Sequence, residues 1–253
     1  LIQSLPPIKE VALGYAHTCA LSESGDVWCW GSNALGELGD GTTVSRISPG
    51  APVSKLDETI AIGAGVNNTC AVGRNNLVRC WGTDDPGGVT AEGFLFKTNE
   101  PLLLSGIHAT GKISNGRNFV CALGQKKALL CWGSVPPTPS VNGEDPNTKK
   151  IFLGPRGMAV EILRDGGFVD VSVTAFAGCA LAQSADVYCW QLGQREFGKI
   201  DGFAGAKKVA VGAEHACALL ASNKIKCIGG NDYGQLGDGT TERADTPIEV
   251  LGF

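Results

Sequence analysis

Every cysteine in this chain belongs to a pair with nine residues between its members, and that spacing recurs five times. The pairs are Cys19 and Cys29, Cys70 and Cys80, Cys121 and Cys131, Cys179 and Cys189, and Cys217 and Cys227. Each first cysteine opens Cys-Ala-Leu or Cys-Ala-Val, and Trp or Ile follows each second cysteine. Repetition on this scale points to a repeat architecture. Each copy reads as a β-hairpin. With Leu21 facing Val27, residues 22–26 form a five-residue loop containing Gly25, an ordinary hairpin length. Counting outward by two on each strand sets Cys19 opposite Cys29, and the same count opposes the cysteines of the other four copies. Opposed residues at a non-hydrogen-bonded site lie about 4.5 Å apart at Cα, within the disulfide range of about 4.4–6.8 Å. The expectation is five hairpin disulfides, one per copy. The competing reading is buried free thiols, because cysteine also behaves as a small core residue. Free thiols, however, need no fixed paired spacing.

The flanks repeat too. Val11-Ala-Leu-Gly14, Ile60-Ala-Ile-Gly63 and Val209-Ala-Val-Gly212 precede the first cysteines, with Val169-Asp-Val-Ser-Val173 as a looser version. They are short, alternating and β-branched, as strands are. Gly-Glu-Leu-Gly-Asp-Gly ends at Gly41 and Gly-Gln-Leu-Gly-Asp-Gly ends at Gly239. Together with the Val-Ala-x-Gly strands and the His-x-x-Ala-Leu of His215 to Leu219, this pattern resembles the RCC1 repeat family. The resemblance runs along nearly the whole chain, although Ile228-Gly229 replaces Trp-Gly in the last copy. The added cysteine pairs look more like the variant in the ectodomains of plant crinkly-type receptor kinases. The resemblance implies an all-β propeller of five recognisable blades, each with a stapled hairpin. One domain over residues 1–253 is expected, with blade cores near 11–41, 60–82, 112–133, 169–190 and 209–239. Pro247-Ile248-Glu249-Val250 reads as a surplus strand that either closes the ring against blade one, the preferred expectation, or leads into a further blade of a longer propeller. The chain opens on Leu1, which fits a removed leader or excision from something longer.

Paired cysteines point to an oxidising compartment, so an extracellular or secreted protein is expected. Asn67-Asn68-Thr69 is an N-glycosylation sequon, which makes Asn67 a glycosylation candidate. Net charge is −4, which argues against a nucleic-acid partner. No run of eighteen apolar residues exists to insert into a membrane as a helix.

The sequence offers no catalytic constellation. His17 and His215 share one repeat position and read as structural, while His108 stands alone and reads as surface. Asp40 and Asp238 sit in Gly-Asp-Gly turns, where aspartate bonds its local backbone. One such turn offers too few oxygens for calcium, and Cys-x9-Cys is not a zinc spacing. No enzyme activity, cofactor or metal is expected. Trp30, Trp81, Trp132 and Trp190 recur with the hairpins and read as blade core. Trp28 has only Tyr188 as a similar counterpart, so it is a binding candidate if exposed. Phe94 and Phe96 stand in the divergent stretch 84–96 and are further candidates, as loop anchor or exposed contact. Residues 135–147, rich in proline, form the other divergent rim stretch.

Three functions fit. The first is a secreted or cell-surface propeller acting as a protein-interaction, adhesion or scaffold module, with a protein partner, copies of itself or a larger assembly. The second is a lectin-like propeller binding glycans, which would need one polar and aromatic set in every copy. The third, implied by the nuclear members of the family, is guanine-nucleotide exchange on a small GTPase. A reducing compartment would leave the cysteine pairs without purpose, so the first is preferred.

Overall fold

The computed structural model describes residues 5–83, 97–117, 119–133, 148–152, 158–162, 167–175, 177–191 and 194–252. They form antiparallel sheets with one short 3-10 turn at Gln125–Lys127. Blade one is β1 (Ile8–Leu13), β2 (His17–Ser22) and β3 (Val27–Gly31). Blade two is β4 (Thr59–Ala64), β5 (Asn68–Gly73) and β6 (Leu77–Thr83). A long strand, β7 (Lys97–Asn115), follows. Its first part pairs with β6 and its last part pairs with β8 (Phe119–Gly124). It is therefore the outer strand of blade two and the inner strand of blade three in one run. Blade three continues through β9 (Leu129–Gly133), and the hairpin β10 (Thr148–Phe152) and β11 (Met158–Ile162) joins its edge. Blade four is β12 (Phe168–Val173), β13 (Ala177–Ala182), β14 (Val187–Gln191) and β15 (Gln194–Lys199). Blade five is β16 (Ala206–Val211), β17 (His215–Leu220), β18 (Ile225–Gly229) and β19 (Ala244–Glu249).

The hairpin register is the one counted from the sequence. Leu21 faces Val27 and Cys19 faces Cys29, and the other four copies repeat the pairing. All five disulfides form, with Cα separations between 4.0 Å (Cys179–Cys189) and 4.2 Å (Cys19–Cys29). Alternation along the strands then gives each blade two faces. The cysteine face looks forward, to the next blade. Cys19, Leu21, Val27 and Cys29 pack on Ile62, Ala71 and Trp81 of blade two. Cys70, Val72 and Val78 pack on Ile113, Ala122 and Trp132 of blade three. Cys121 and Leu129 pack on Val171, Ala180 and Trp190 of blade four. Cys179, Leu181 and Val187 pack on Val209, Ala216 and Ile228 of blade five. The core is this series of interblade seams.

The expected pairing of Ile248 with blade one is not made. Ile248 instead faces Cys227, so 244–249 is the fourth strand of its own blade. The reason is local. The turn Asn231–Gly239 is stitched by Asn231, whose Nδ2 donates to Asp238 Oδ1 at 3.1 Å and whose Oδ1 accepts from Leu236 N at 2.9 Å. That compact turn returns the chain to the free edge of β18, the nearest unpaired strand. The same route in blade one brings Arg46 to Gly31 and lets Val53 N donate to Val27 O at 2.7 Å.

Candidate interaction surface

The seam between blades one and two shows how a blade interface is built. Leu38, 1% exposed, enters the apolar cluster, and the Glu37 carbonyl beside it accepts two buried donors. Trp81 Nε1 donates at 2.8 Å and Thr69 Oγ1 donates at 2.9 Å. A Cβ at Gly39 would stand 2.7 Å from the Trp81 indole, and its φ is +68°, so only glycine lets the turn approach. His17 Nε2 lies 2.9 Å from Thr69 Oγ1. Thr69 gives its one proton to Glu37, so it accepts from His17, and the imidazole proton sits on Nε2. Nδ1 is buried without a partner. Burial, only partly offset by the charge of Glu37, lowers the His17 pKa to about 4. The residue is structural, as its repeat position suggested, and His108 is exposed as expected. Asp40 fills its turn role: burial raises its pKa, but the bonds from Thr42, with Arg46 alongside, hold it below the usual range.

Among the described residues, no blade covers the rear face of blade one. Val11 pairs with Ala20 and Leu13 with Thr18, and these pair in turn with Trp28 and Trp30, so all six share that face. Val11 is 55% exposed, whereas its counterparts Ile62, Ile113, Val171 and Val209 are 2%, 2%, 0% and 7% exposed. Leu13 is 72% exposed. Trp81, Trp132 and Trp190 are buried, as expected of blade core, but Trp30 is half-buried, with no blade behind it among the described residues. Trp28 is half-buried on the same face. The forward face of blade five is the matching opposite. Its cluster of Cys227, Leu236 and Ala244 draws only on its own blade, and Cys217 is half-buried where the other four first cysteines are buried.

Beside the open face lies a cleft of about 400 Å³ bordered by the inner strands of blades one to four. Glu10 lines it, with its carboxyl raised by burial and its Oε2 accepting from Ile62 N at 3.3 Å. Lys112 pairs with Asp170 at 3.1 Å, and Asn115 donates to Asn68 at 2.7 Å. These groups join blades to one another. No cluster of metal-ligating side chains occurs among the described residues. No described helix is long and apolar enough to cross a membrane.

Asn67 is half-buried on the loop before β5, and its carbonyl accepts from Thr83 N at 2.9 Å. Phe94, Phe96 and residues 135–147 lie outside the described residues. The sequence singled out Trp28 on condition of exposure, and it is half-buried; it did not single out Val11 and Leu13. Their identity matches the buried strands of other blades, so only the missing neighbour distinguishes them.

A family model described as "Regulator of chromosome condensation (RCC1) repeat" matches residues 8–37 and 206–235, and a second of the same description matches 24–72. Human E3 ubiquitin-protein ligase HERC2 is 27% identical over 97% of this chain, which spans 4% of that protein. The mouse secretion-regulating guanine nucleotide exchange factor is 26% identical over 96% of the chain, spanning 60% of its length. The ultraviolet-B receptor UVR8 of Arabidopsis thaliana is 26% identical over 94%, spanning 57%. The chain thus corresponds to part of each relative. The structure of human WBSCR16 superposes with a TM-score of 0.71 at 17% identity, covering 96% of this chain and 67% of that one. The CRINKLY WD40 ectodomain of the Arabidopsis thaliana receptor kinase ACR4 gives 0.51 at 21% identity, covering 88% and 65%. These likenesses establish an RCC1-like propeller fold.

Proposed function

We propose that this chain, an RCC1-like propeller with RCC1 repeats in its matched segments, is a non-enzymatic protein-interaction module whose binding surface is the rear face of blade one. The observation that carries this is the exposure of Val11 and Leu13 beside the half-buried Trp28 and Trp30, on the face that meets a neighbouring blade elsewhere. An apolar sheet face of this kind marks an interaction site. Tryptophan is also the side chain most often found at interface hot spots. The chemistry it would meet is that of a forward blade face: a leucine on a tight turn and a carbonyl placed for the Trp30 indole. The Gln235-Leu236 turn of blade five repeats the Glu37-Leu38 turn, with Leu236 buried in its own blade, so a second copy of this chain is a suitable first partner. A repeated sugar pocket is less well supported, because the Trp28 position holds Arg79, Leu130, Tyr188 and Lys226 in the other blades.

The five disulfides support an oxidising setting, extracellular or secreted; the sequon supports a glycan on Asn67, and the unbroken series of repeats supports one domain over 1–253. A shift in mass on enzymatic deglycosylation, absent from Asn67→Gln, tests the modification. Sedimentation velocity over a hundredfold concentration range tests the surface. Association that rises with concentration and is lost in Val11→Asp/Leu13→Asp supports it. Association unchanged by that exposed pair of substitutions would move the interface elsewhere.

A further inference from the structure

The seam between blades four and five keeps the cysteine, leucine and valine contacts but lacks the turn and the polar partners that complete the seam between blades one and two. No Gly-x-Leu-Gly segment stands between Gln191 and Gln194, which pair directly. Ala177 occupies the position of His17, Ala216 that of Thr69, and Ile228 that of Trp81. Gly198 faces Cys189, where Leu102 faces Cys80 and Ile248 faces Cys227. Donors and acceptors have been removed together, so the seam leaves none of that set unsatisfied. What remains is a cleft of about 290 Å³. Its depth is walled by Ala177, the Cys179–Cys189 bridge, Gly198, Ile200, Ala216 and Ile228. Trp190 borders it as well, but its indole packs on Gly178 and Phe197, on the other face of the sheet. At the mouth stand Glu214, His215 and the exposed pair Arg243–Asp245, 3.0 Å apart.

We propose that this cleft binds a small apolar molecule of one or two aromatic rings. The site is separate from the face of blade one, and the proposal does not rest on that reading. Size favours such a ligand: an apolar cavity of about 150 Å³ accepts benzene, and small-molecule sites begin at about 300 Å³. Wall chemistry narrows the class. A peptide turn inserted as residues 36–39 are in the first seam would bury a carbonyl where Trp81 and Thr69 supply donors there. Ile228 and Ala216 supply none, and burying an unpaired carbonyl is costly. The buried part of the ligand must therefore be carbon, with any polar substituent directed to the charged mouth.

The test uses the whole chain with ¹³C-labelled isoleucine methyls and naphthalene as the probe. Saturable shifts at the Ile200 and Ile228 methyls, with Ile62 and Ile113 unmoved, are expected. Gly198→Leu fills the cleft from one wall. A Cβ there meets no atom within 4 Å, so the added side chain starts in open space. It should weaken naphthalene binding at least tenfold. Ile228→Trp restores the repeat residue, fills the cleft from the opposite wall and should do the same, so the test does not depend on one variant folding. No saturable shift up to the solubility of naphthalene would overturn the proposal, as would undiminished affinity in a folded variant of either kind. Shifts of the same methyls by acetyl-Gly-Glu-Leu-Gly-amide would also overturn it, in favour of a peptide plug.

Discussion

His17 ties the stability of the first seam to pH. In the folded chain its Nε2–H is held by Thr69, and Nδ1 is buried with no partner. A Cβ at Gly14 would lie 2.3 Å from Nδ1, so the ring sits against backbone with no room for water on that side. A second proton on Nδ1 would therefore be a buried donor with nothing to receive it. Burial lowers the pKa from 6.5 to about 4. The sign follows from proton binding. Between these values the unfolded chain binds more protons, so stability falls as pH falls. The contribution is fully present above pH 6.5 and lost progressively toward pH 4. The shift corresponds to a loss of about 2 kcal/mol by pH 5, approaching about 3 kcal/mol below pH 4. The assay is urea unfolding of the wild type and His17→Gln at intervals from pH 7.5 to 4.5. The glutamine amide can still donate to Thr69 and does not titrate. Carboxylates contribute alike to both proteins and cancel in the difference. The wild type should lose stability faster than the variant on acidification, by the amounts given. Parallel curves would refute the reasoning.

Three further outcomes are expected. Replacing Cys70 and Cys80 together by alanine should cost about 2–3 kcal/mol by the chain-entropy model, read from thermal or urea unfolding under non-reducing conditions. Leu38→Ala should cost about 2–5 kcal/mol, since the side chain is 1% exposed and packed between two blades; a loss under 1 kcal/mol would mean that the turn does not hold the seam. Asn33→Ala should cost about 1–3 kcal/mol, because Asn33 is fully buried and joins Asp40 and the carbonyls of Thr42 and Val44 to the Leu38 amide.

The hairpins were legible because the disulfide spacing and the period-two alternation impose the same register. Cys19 opposite Cys29 and Leu21 opposite Val27 needed only counting. The Gly-Asp-Gly turns were legible for a similar reason: Asp40 bonds residues two positions away. What the sequence hid depends on which blade lies behind which. Val11 and Ile62 are both β-branched strand residues, and only a neighbouring sheet separates 55% exposure from 2%. Pro247 to Val250 looked like a closing strand because a strand edge is chemically the same wherever it occurs. The Asn231 turn decides which edge is nearest. The shortened loop of blade four was visible as a short period, but the cleft was not. It emerges only when Ala177, Ala216 and Ile228 are placed where His17, Thr69 and Trp81 stand in another seam.

The most direct test of the proposed interaction surface places a photo-crosslinking amino acid at position 13, and at the exposed position 242 as a control, in the full chain in its native setting. Discrete protein adducts should form from position 13, be absent from position 242, and disappear when Val11→Asp is added. Adducts that are equal from both positions, or that persist with Val11→Asp, would contradict the assignment of blade one as the binding face.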